Sequence, residues 1–291
     1  MLAVLLHMRI ALVHEYLTQL GGGEKVLSAF CELFPEASIY TLIYNEKATG
    51  SLFKNRKIHT SFLQKILGSK KFFRSLIPLM PLAIEQFDLS GFDLVISVSH
   101  SYGKGVITKP GTKHICYCLT PTRYLWHDAG LPFKPLSRFL LAYLRTWDYQ
   151  AAQRPDYFIA DSEAVKQRIK KYYNRDSEVI YPPVETDRFQ ISNSSKEYFL
   201  IVGRPVPYKR FDLAIEAFSR LPQERLVVIG DWPLYTRLKA ANKTKVKNIK
   251  FIGRVSESEL SKYYADCKAL IFPQEEDFGI VPLEAMASGR P

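Results

Sequence analysis

The segment Met8-Arg9-Ile10-Ala11-Leu12-Val13-His14, followed by Leu20-Gly21-Gly22-Gly23-Glu24-Lys25, decides the fold class. A short apolar run leads into glycines, and beyond them Val26, Leu27, Phe30 and Leu33 recur at helical spacing. The pattern is strand, glycine turn, helix. Working outward, further strand candidates lie at residues 39–43, 92–98, 114–119, 157–160 and 178–181, mostly buried in character as the strands of a parallel sheet must be. Ser162 is placed to cap a helix running to about Tyr173. Tyr181-Pro182-Pro183-Val184 ends the series, because two prolines suit neither a helix nor a central strand, and residues 191–195 are polar and turn-rich. The alternation then restarts, with strands at 198–202, 225–229, 249–252 and 269–272 and helices at 211–221, 234–241 and 256–265. A last helix at 281–287 opens with Pro282 at its first position. The expected architecture is α/β, two Rossmann-like domains at 8–184 and 196–291 whose parallel sheets face a central cleft.

Composition narrows the partners. The chain of 291 residues is 47% hydrophobic, enough for two real cores. Cys31, Cys116, Cys118 and Cys267 form no framework of a small secreted fold and read as free thiols in a reducing compartment. Met1–His7 is apolar but lacks a charged leading region and a cleavage site, so it is expected to be an extension ahead of the first strand. No apolar run reaches the length of a bilayer span. The net charge of +11 suits nucleic acid, an anionic membrane or phosphorylated substrates. From Lys47 to Arg74 there are eight basic residues and no acidic one, interleaved with Phe53, Phe62, Leu63, Ile66, Leu67, Phe72 and Phe73. That interleaving fits either a peripheral contact with anionic lipid or a solvated basic face. No zinc-finger spacing or RNP-like run supports a nucleic-acid partner.

Three stretches carry candidate chemistry. In the first, Gly22 and Gly23 open a helix, whose free N–H groups can receive an anion. In the second, Val202-Gly203-Arg204-Pro205-Val206-Pro207-Tyr208-Lys209-Arg210 joins a strand to a helix and offers Arg204 and Lys209 to a diphosphate. The third runs from Phe272 through Glu276, Phe278, Gly279, Ile280, Val281 and Pro282 to Glu284 and Gly289. Glu276 is expected in a loop and Glu284 in the first helical turn. Two carboxylates beside bare N–H groups suit a polyhydroxylated, phosphorylated ligand.

The run Glu276-Asp277-Phe278-Gly279-Ile280-Val281-Pro282-Leu283-Glu284-Ala285-Met286-Ala287-Ser288-Gly289 resembles the E-x7-E motif of retaining glycosyltransferases of family four, which have the GT-B fold. Gly21-Gly22-Gly23-Glu24, Tyr181-Pro182-Pro183-Val184, Gly203-Arg204 with Lys209, Ile229-Gly230-Asp231 and Phe251-Ile252-Gly253-Arg254 resemble that family in the same order. Tyr117-Cys118-Leu119-Thr120-Pro121-Thr122-Arg123-Tyr124-Leu125-Trp126 resembles its mannosyltransferase-like branch of bacterial surface polysaccharide synthesis. The resemblance implies a GDP- or UDP-linked donor sugar, a polyprenyl-linked or glycan acceptor, transfer with retention, and no metal or other cofactor. It implies Glu276 at the sugar hydroxyls, Glu284 at the ribose and Arg204 and Lys209 at the diphosphate. Gly22, Gly23 and Gly203 would also line the donor site. Phe278, Gly279, Ile280 and Val281 would lie against sugar and phosphate, and Arg254 by the base. The free thiols and the basic segment Lys47–Arg74 make the expected setting cytoplasmic, with a peripheral contact at the inner face of the cell membrane.

One position departs from the family. Leu119 stands where the family commonly has a histidine that contacts the donor sugar, and leucine forms no hydrogen bond. His100, Leu119 and Arg123, with His127 beside them, are the candidates on the acceptor side. A sugar-nucleotide epimerase and a non-catalytic sugar-nucleotide binder are the competing readings. Gly289-Arg290-Pro291 reads as a turn out of a helix, and in the family such a turn leads to further elements, so the second domain is expected to be incomplete.

Overall fold

A computed structural model describes residues 8–50, 52–66, 76–126, 137–192, 196–204, 206–230 and 246–291. Pro205, Asp231, His127, the helix expected at 234–241, residues 193–195, and residues 51 and 67–74 of the basic segment lie outside the described residues. The chain forms two compact units that divide between Pro183 and Val184.

The first unit is built on seven parallel strands in the order β3-β2-β1-β4-β5-β6-β7. They are β1 (Ile10–Leu17), β2 (Ser38–Tyr44), β3 (Ile58–Thr60), β4 (Leu94–Ser99), β5 (Lys113–Cys118), β6 (Tyr157–Ala160) and β7 (Glu178–Val179). Side chains alternate across a strand, so Ala11 and Val13 enter one apolar cluster while Ile10 and Leu12 enter the other. The sheet is thus covered on both faces, which is why β1 opens as the apolar run Ile10–Val13. Three long helices flank it: α1 (Gly22–Leu33), α2 (Ser137–Ala151) and α3 (Glu163–Tyr173). Ser162 caps α3, its side chain accepting from Val165 N. All four cysteines are buried and free.

A buried polar network anchors the loop beyond β4. The Lys104 ammonium lies 2.5 Å from Asp148 Oδ1 and also donates to Ser101 O, with both side chains sealed from solvent. Asp148 accepts further bonds from Thr122, Trp126 and Tyr173 at 2.7–2.8 Å. A buried charge pair is stable only when its remaining donors and acceptors are satisfied. Here that requirement fixes α2 against the loop.

The basic segment is not one interfacial helix. Glu46–Thr49 is a single turn capped by Asn45, Ile58–Thr60 is the edge strand β3, and Leu63–Ile66 is another short turn. Phe53 and Leu63 are core residues and Phe62 packs on the core, whereas Leu52 and Ile66 are exposed.

The second unit contains a parallel sheet of order β10-β9-β8, with β8 (Phe199–Val202), β9 (Leu226–Ile229) and β10 (Ile249–Gly253). The strand expected at 269–272 is reduced to one parallel bridge between Leu270 and Leu200 on the free side of β8. Helices α4 (Phe211–Ser219), α5 (Glu257–Asp266) and α6 (Ile280–Ala287) complete the described part, and Ser256 and Glu259 form a reciprocal capping box at α5. Among the described residues no helix is long and apolar enough to cross a membrane.

Candidate active site

In the second unit the strand order reverses between β8 and Leu270, and the segments leaving these two places meet in one ion pair. Lys209 Nζ lies 2.8 Å from Glu276 Oε1, with only 14% and 18% of the two side chains exposed. Gln274, itself buried, donates to the same oxygen at 2.7 Å. Gly203 makes the approach feasible. Its φ of +142° belongs to glycine, and Lys209 Nζ is 3.5 Å from where a Cβ would stand. The turn Pro207–Lys209 then hands the chain through Arg210, in the left-handed region at φ +49°, into α4.

Sequence spacing suggests that Arg204 and Lys209 converge as two cations. In the structure Lys209 is paired with Glu276, and Arg204 is exposed just beyond Gly203. A lysine ammonium has three donors, so an incoming diphosphate can share it with Glu276. The expected helix start also shifts. α6 begins at Ile280 with Gly279, φ +88°, as its N-cap, so Pro282 is the third helical residue and Glu284 the fifth, in the second turn. Glu284 is buried, and one oxygen accepts from Tyr264 Oη at 2.9 Å. Burial, and then the charge of Glu284, push the Tyr264 phenol well above its usual range. Phe278, Gly279, Ile280 and Val281 are half-buried at the helix entrance, while Arg254 is exposed at the end of β10, two strands from β8.

The loss of Lys209 should therefore be felt in stability as well as in binding. Lys209→Ala leaves Glu276 largely buried without its cation and is expected to cost about 1–3 kcal/mol. Arg204→Ala, at an exposed site, is expected to stay within about 0.5 kcal/mol. Thermal melts of the two variants check this, and equal midpoints would remove the structural role assigned to Lys209.

In the first unit the strand order reverses between β1 and β4. Their carboxyl ends carry His14 and Glu15 on β1 and Ser99 on β4, with His100 immediately beyond. Glu15 is sealed from solvent, and its Oε1 accepts from Ser99 Oγ at 2.6 Å and from the N–H groups of His100, Ser101 and Gly103 at 3.1, 2.8 and 2.9 Å. Its Oε2 lies 3.0 Å from His100 Nδ1, and the His100 ring is 44% exposed. Burial alone would raise the Glu15 carboxyl, but His100 and these hydrogen bonds hold it well below the usual carboxylate range. Gly22 is exposed and Gly23 half-buried in the first turn of α1. A Cβ on Gly23 would meet Leu119 Cδ1 at 2.9 Å and His14 Cε1 at 3.5 Å, so Leu119 and His14 lie against the same glycine. Arg123, half-buried, opens the short turn Arg123–Trp126.

Sequence reasoning missed His14, Glu15, Tyr264 and Gln274. A histidine and an acid ending an otherwise apolar strand were the available signal for the first two, because burying such groups is costly unless they have partners.

Comparison with known proteins places this geometry. A model described as Glycosyltransferase Family 4 matches residues 20–188, and one described as Glycosyl transferases group 1 matches residues 184–291. The chain belongs to glycosyltransferase family 4. It is similar to the O-antigen chain mannosyltransferase RfbU of Salmonella typhimurium, with 31% identity over 173 residues, covering 57% of this chain and 49% of that protein. The chain thus spans about half the length of that relative. Its fold is that of the Anabaena protein Alr3699/HepE, solved with UDP and glucose, at a TM-score of 0.69 and 18% identity over 98% of this chain and 80% of that one. A UDP-N-acetylglucosamine 2-epimerase shares the fold at a TM-score of 0.55 and 11% identity, over 98% of this chain and 78% of that one. Fold alone therefore does not separate transfer from epimerisation.

Proposed function

We propose that this chain carries the core of a hexosyltransferase, mannose being the leading sugar. It moves a hexosyl group from a GDP- or UDP-linked donor to a lipid-linked or glycan acceptor with retention of configuration. The observation that carries this reading is the cluster of Glu276, Lys209 and Gln274 beyond β8, at the point where the strand order of the second unit reverses. Likeness to an O-antigen mannosyltransferase supports the sugar and the class of acceptor.

In this reading the bond from the anomeric carbon to the phosphate oxygen breaks, the bond to the acceptor oxygen forms, and the acceptor proton leaves with the nucleoside diphosphate. Lys209 and Arg204 stabilise the charge growing on the departing phosphate. Glu276 accepts hydrogen bonds from sugar hydroxyls and Glu284 fixes the nucleoside. Gly203, Phe278, Gly279, Ile280 and Val281 let the donor approach backbone, with Arg254 toward the base. Gly22 and Gly23 belong with the donor-binding groups, and His100, Leu119 and Arg123 are the candidates on the acceptor side. No step is assigned to a metal. The setting is the inner face of the cell membrane, with the cations between Lys47 and Arg74 toward anionic lipid.

The test is to present GDP-mannose, UDP-glucose and UDP-N-acetylglucosamine separately to the purified chain and follow binding and product by NMR. One donor is expected to bind better than its bare nucleotide and to release that nucleotide. Conversion of the sugar while still attached to nucleotide would favour an epimerase, and binding without turnover a non-catalytic binder.

A further inference from the structure

A concavity of the second unit lies at the opposite edge of its sheet from the segments that carry Lys209 and Glu276. It encloses about 1100 Å³ between α5 and the amino ends of β8, β9 and β10. Parallel pairing sets Leu226 beside both Phe199 and Ile249, so Tyr198, Arg225 and Asn248 enter the sheet as one row. Lys250 follows beside Val227, on the face where α5 packs through Leu260 and Tyr264. From α5 itself, Glu259, Lys262, Tyr263 and Asp266 line the facing wall, at the spacing of one helix face.

The charges around this cavity are not balanced. Asp266 holds Lys196 at 2.5 Å, and Glu197 holds Lys268 at 2.5 Å. Glu259 Oε2 accepts from Ser256 N and Oγ at 2.9 and 2.7 Å within the capping box, and Lys262 stands one turn further on. Every acid of the lining is therefore engaged in the fold. Among the described residues no acid pairs with Arg225, Lys247 or Lys250, all three of them exposed at the cavity. Like charges gathered on a concave wall focus a positive potential that a convex surface would disperse.

We propose that this cavity binds a soluble polyphosphorylated ligand, at a site apart from the one assigned to the donor. Phosphate suits it better than carboxylate, because each group brings up to about two charges and three acceptor oxygens to the lysine ammonium groups. Arg225 adds a planar fork for two of those oxygens, and Tyr263 a hydroxyl donor. The concave shape favours a free anion over a bilayer, whose flat surface does not enter a space between helix and sheet. In a parallel sheet the amino ends face away from the carboxyl ends, so this anion and a nucleotide beside Lys209 can be held at once. The proposal does not depend on which sugar is transferred, or on transfer itself.

The test is calorimetry of the full chain with inorganic tripolyphosphate, in saturating GDP and UDP so that the donor site is filled. Tripolyphosphate is expected to bind under these conditions. Arg225→Gln combined with Lys250→Gln is expected to weaken it about tenfold or more at an unchanged thermal midpoint. Lys247→Gln alone should weaken it less, and it supplies the same comparison if the double variant proves unstable. Poly-glutamate and phosphatidylglycerol vesicles are offered in parallel, and their binding is expected to be the same in parent and variants. The site is overturned if nucleotide abolishes tripolyphosphate binding or if the substitutions leave its affinity unchanged. It is equally overturned if poly-glutamate or the vesicles suffer the larger loss, which would make the cavity a contact for an acidic protein or a membrane. Donor turnover should be equal in parent and double variant. Its absence from both would sink the transferase and leave this site standing.

Discussion

Replacing Glu276 with alanine is expected to lower transfer by about two to three orders of magnitude while leaving nucleotide affinity equal or tighter. The asymmetry follows from the shared oxygen. Lys209 and Gln274 both spend a donor on Glu276 Oε1, at 2.8 and 2.7 Å. Removing the carboxylate frees both donors for the diphosphate, so the nucleotide gains while the sugar loses its acceptor. Glu284→Ala behaves differently. Its carboxylate accepts from the buried Tyr264 hydroxyl, so alanine leaves that hydroxyl unsatisfied, and about 1–3 kcal/mol of stability goes with the donor contact. Calorimetry with bare nucleotide alongside steady-state kinetics measures both effects. A Glu276→Ala enzyme that lost only donor affinity, with kcat intact, would place Glu276 among the binding groups rather than at the reacting centre.

These expectations show which parts of the molecule were legible in the sequence. β6 and the cap at Ser162 came out as read, because an apolar tetrad and a serine before a helical pattern are local signals. Helix α2 was missed. Its buried face consists of Leu144, Asp148 and Ala151, while Phe139 and Tyr143 are exposed, so the apolar residues do not mark the face that packs. Strand β3 was hidden for a similar reason. Three residues at a sheet edge, two of them polar, carry no alternation that stands out from a basic loop. The motif residues of the second unit were legible one at a time, but their pairing was not. That Lys209 meets Glu276 depends on the reversal of strand order beyond β8, which is set by tertiary structure and not by spacing.

Glu15→Ala is expected to cost the first unit about 3–5 kcal/mol at neutral pH. Four donors converge on one of its oxygens, three of them backbone N–H groups of the loop that carries His100, and alanine leaves them buried without an acceptor. Glu15→Gln separates two contributions. Its amide oxygen can keep the backbone bonds, while the charge opposite His100 is lost, so the loop should persist with a smaller penalty of about 1–3 kcal/mol. The pH dependence gives the sign. The folded carboxyl titrates well below its ordinary value of 4.5, so between the two the unfolded chain binds the extra proton. The contribution of Glu15 is therefore fully present above about pH 4.5 and is lost as pH falls through the depressed folded value. The groups facing it are His100 at 3.0 Å and His14 at 3.9 Å, together with Tyr16 and Tyr102, whose phenols burial pushes upward and which stay neutral throughout this window. Urea unfolding at a series of acidic pH values should show the parent losing stability steeply where Glu15→Gln stays flatter. Parallel acid limbs in the two proteins would mean that Glu15 is not held ionised, and that His100 is oriented by the loop alone.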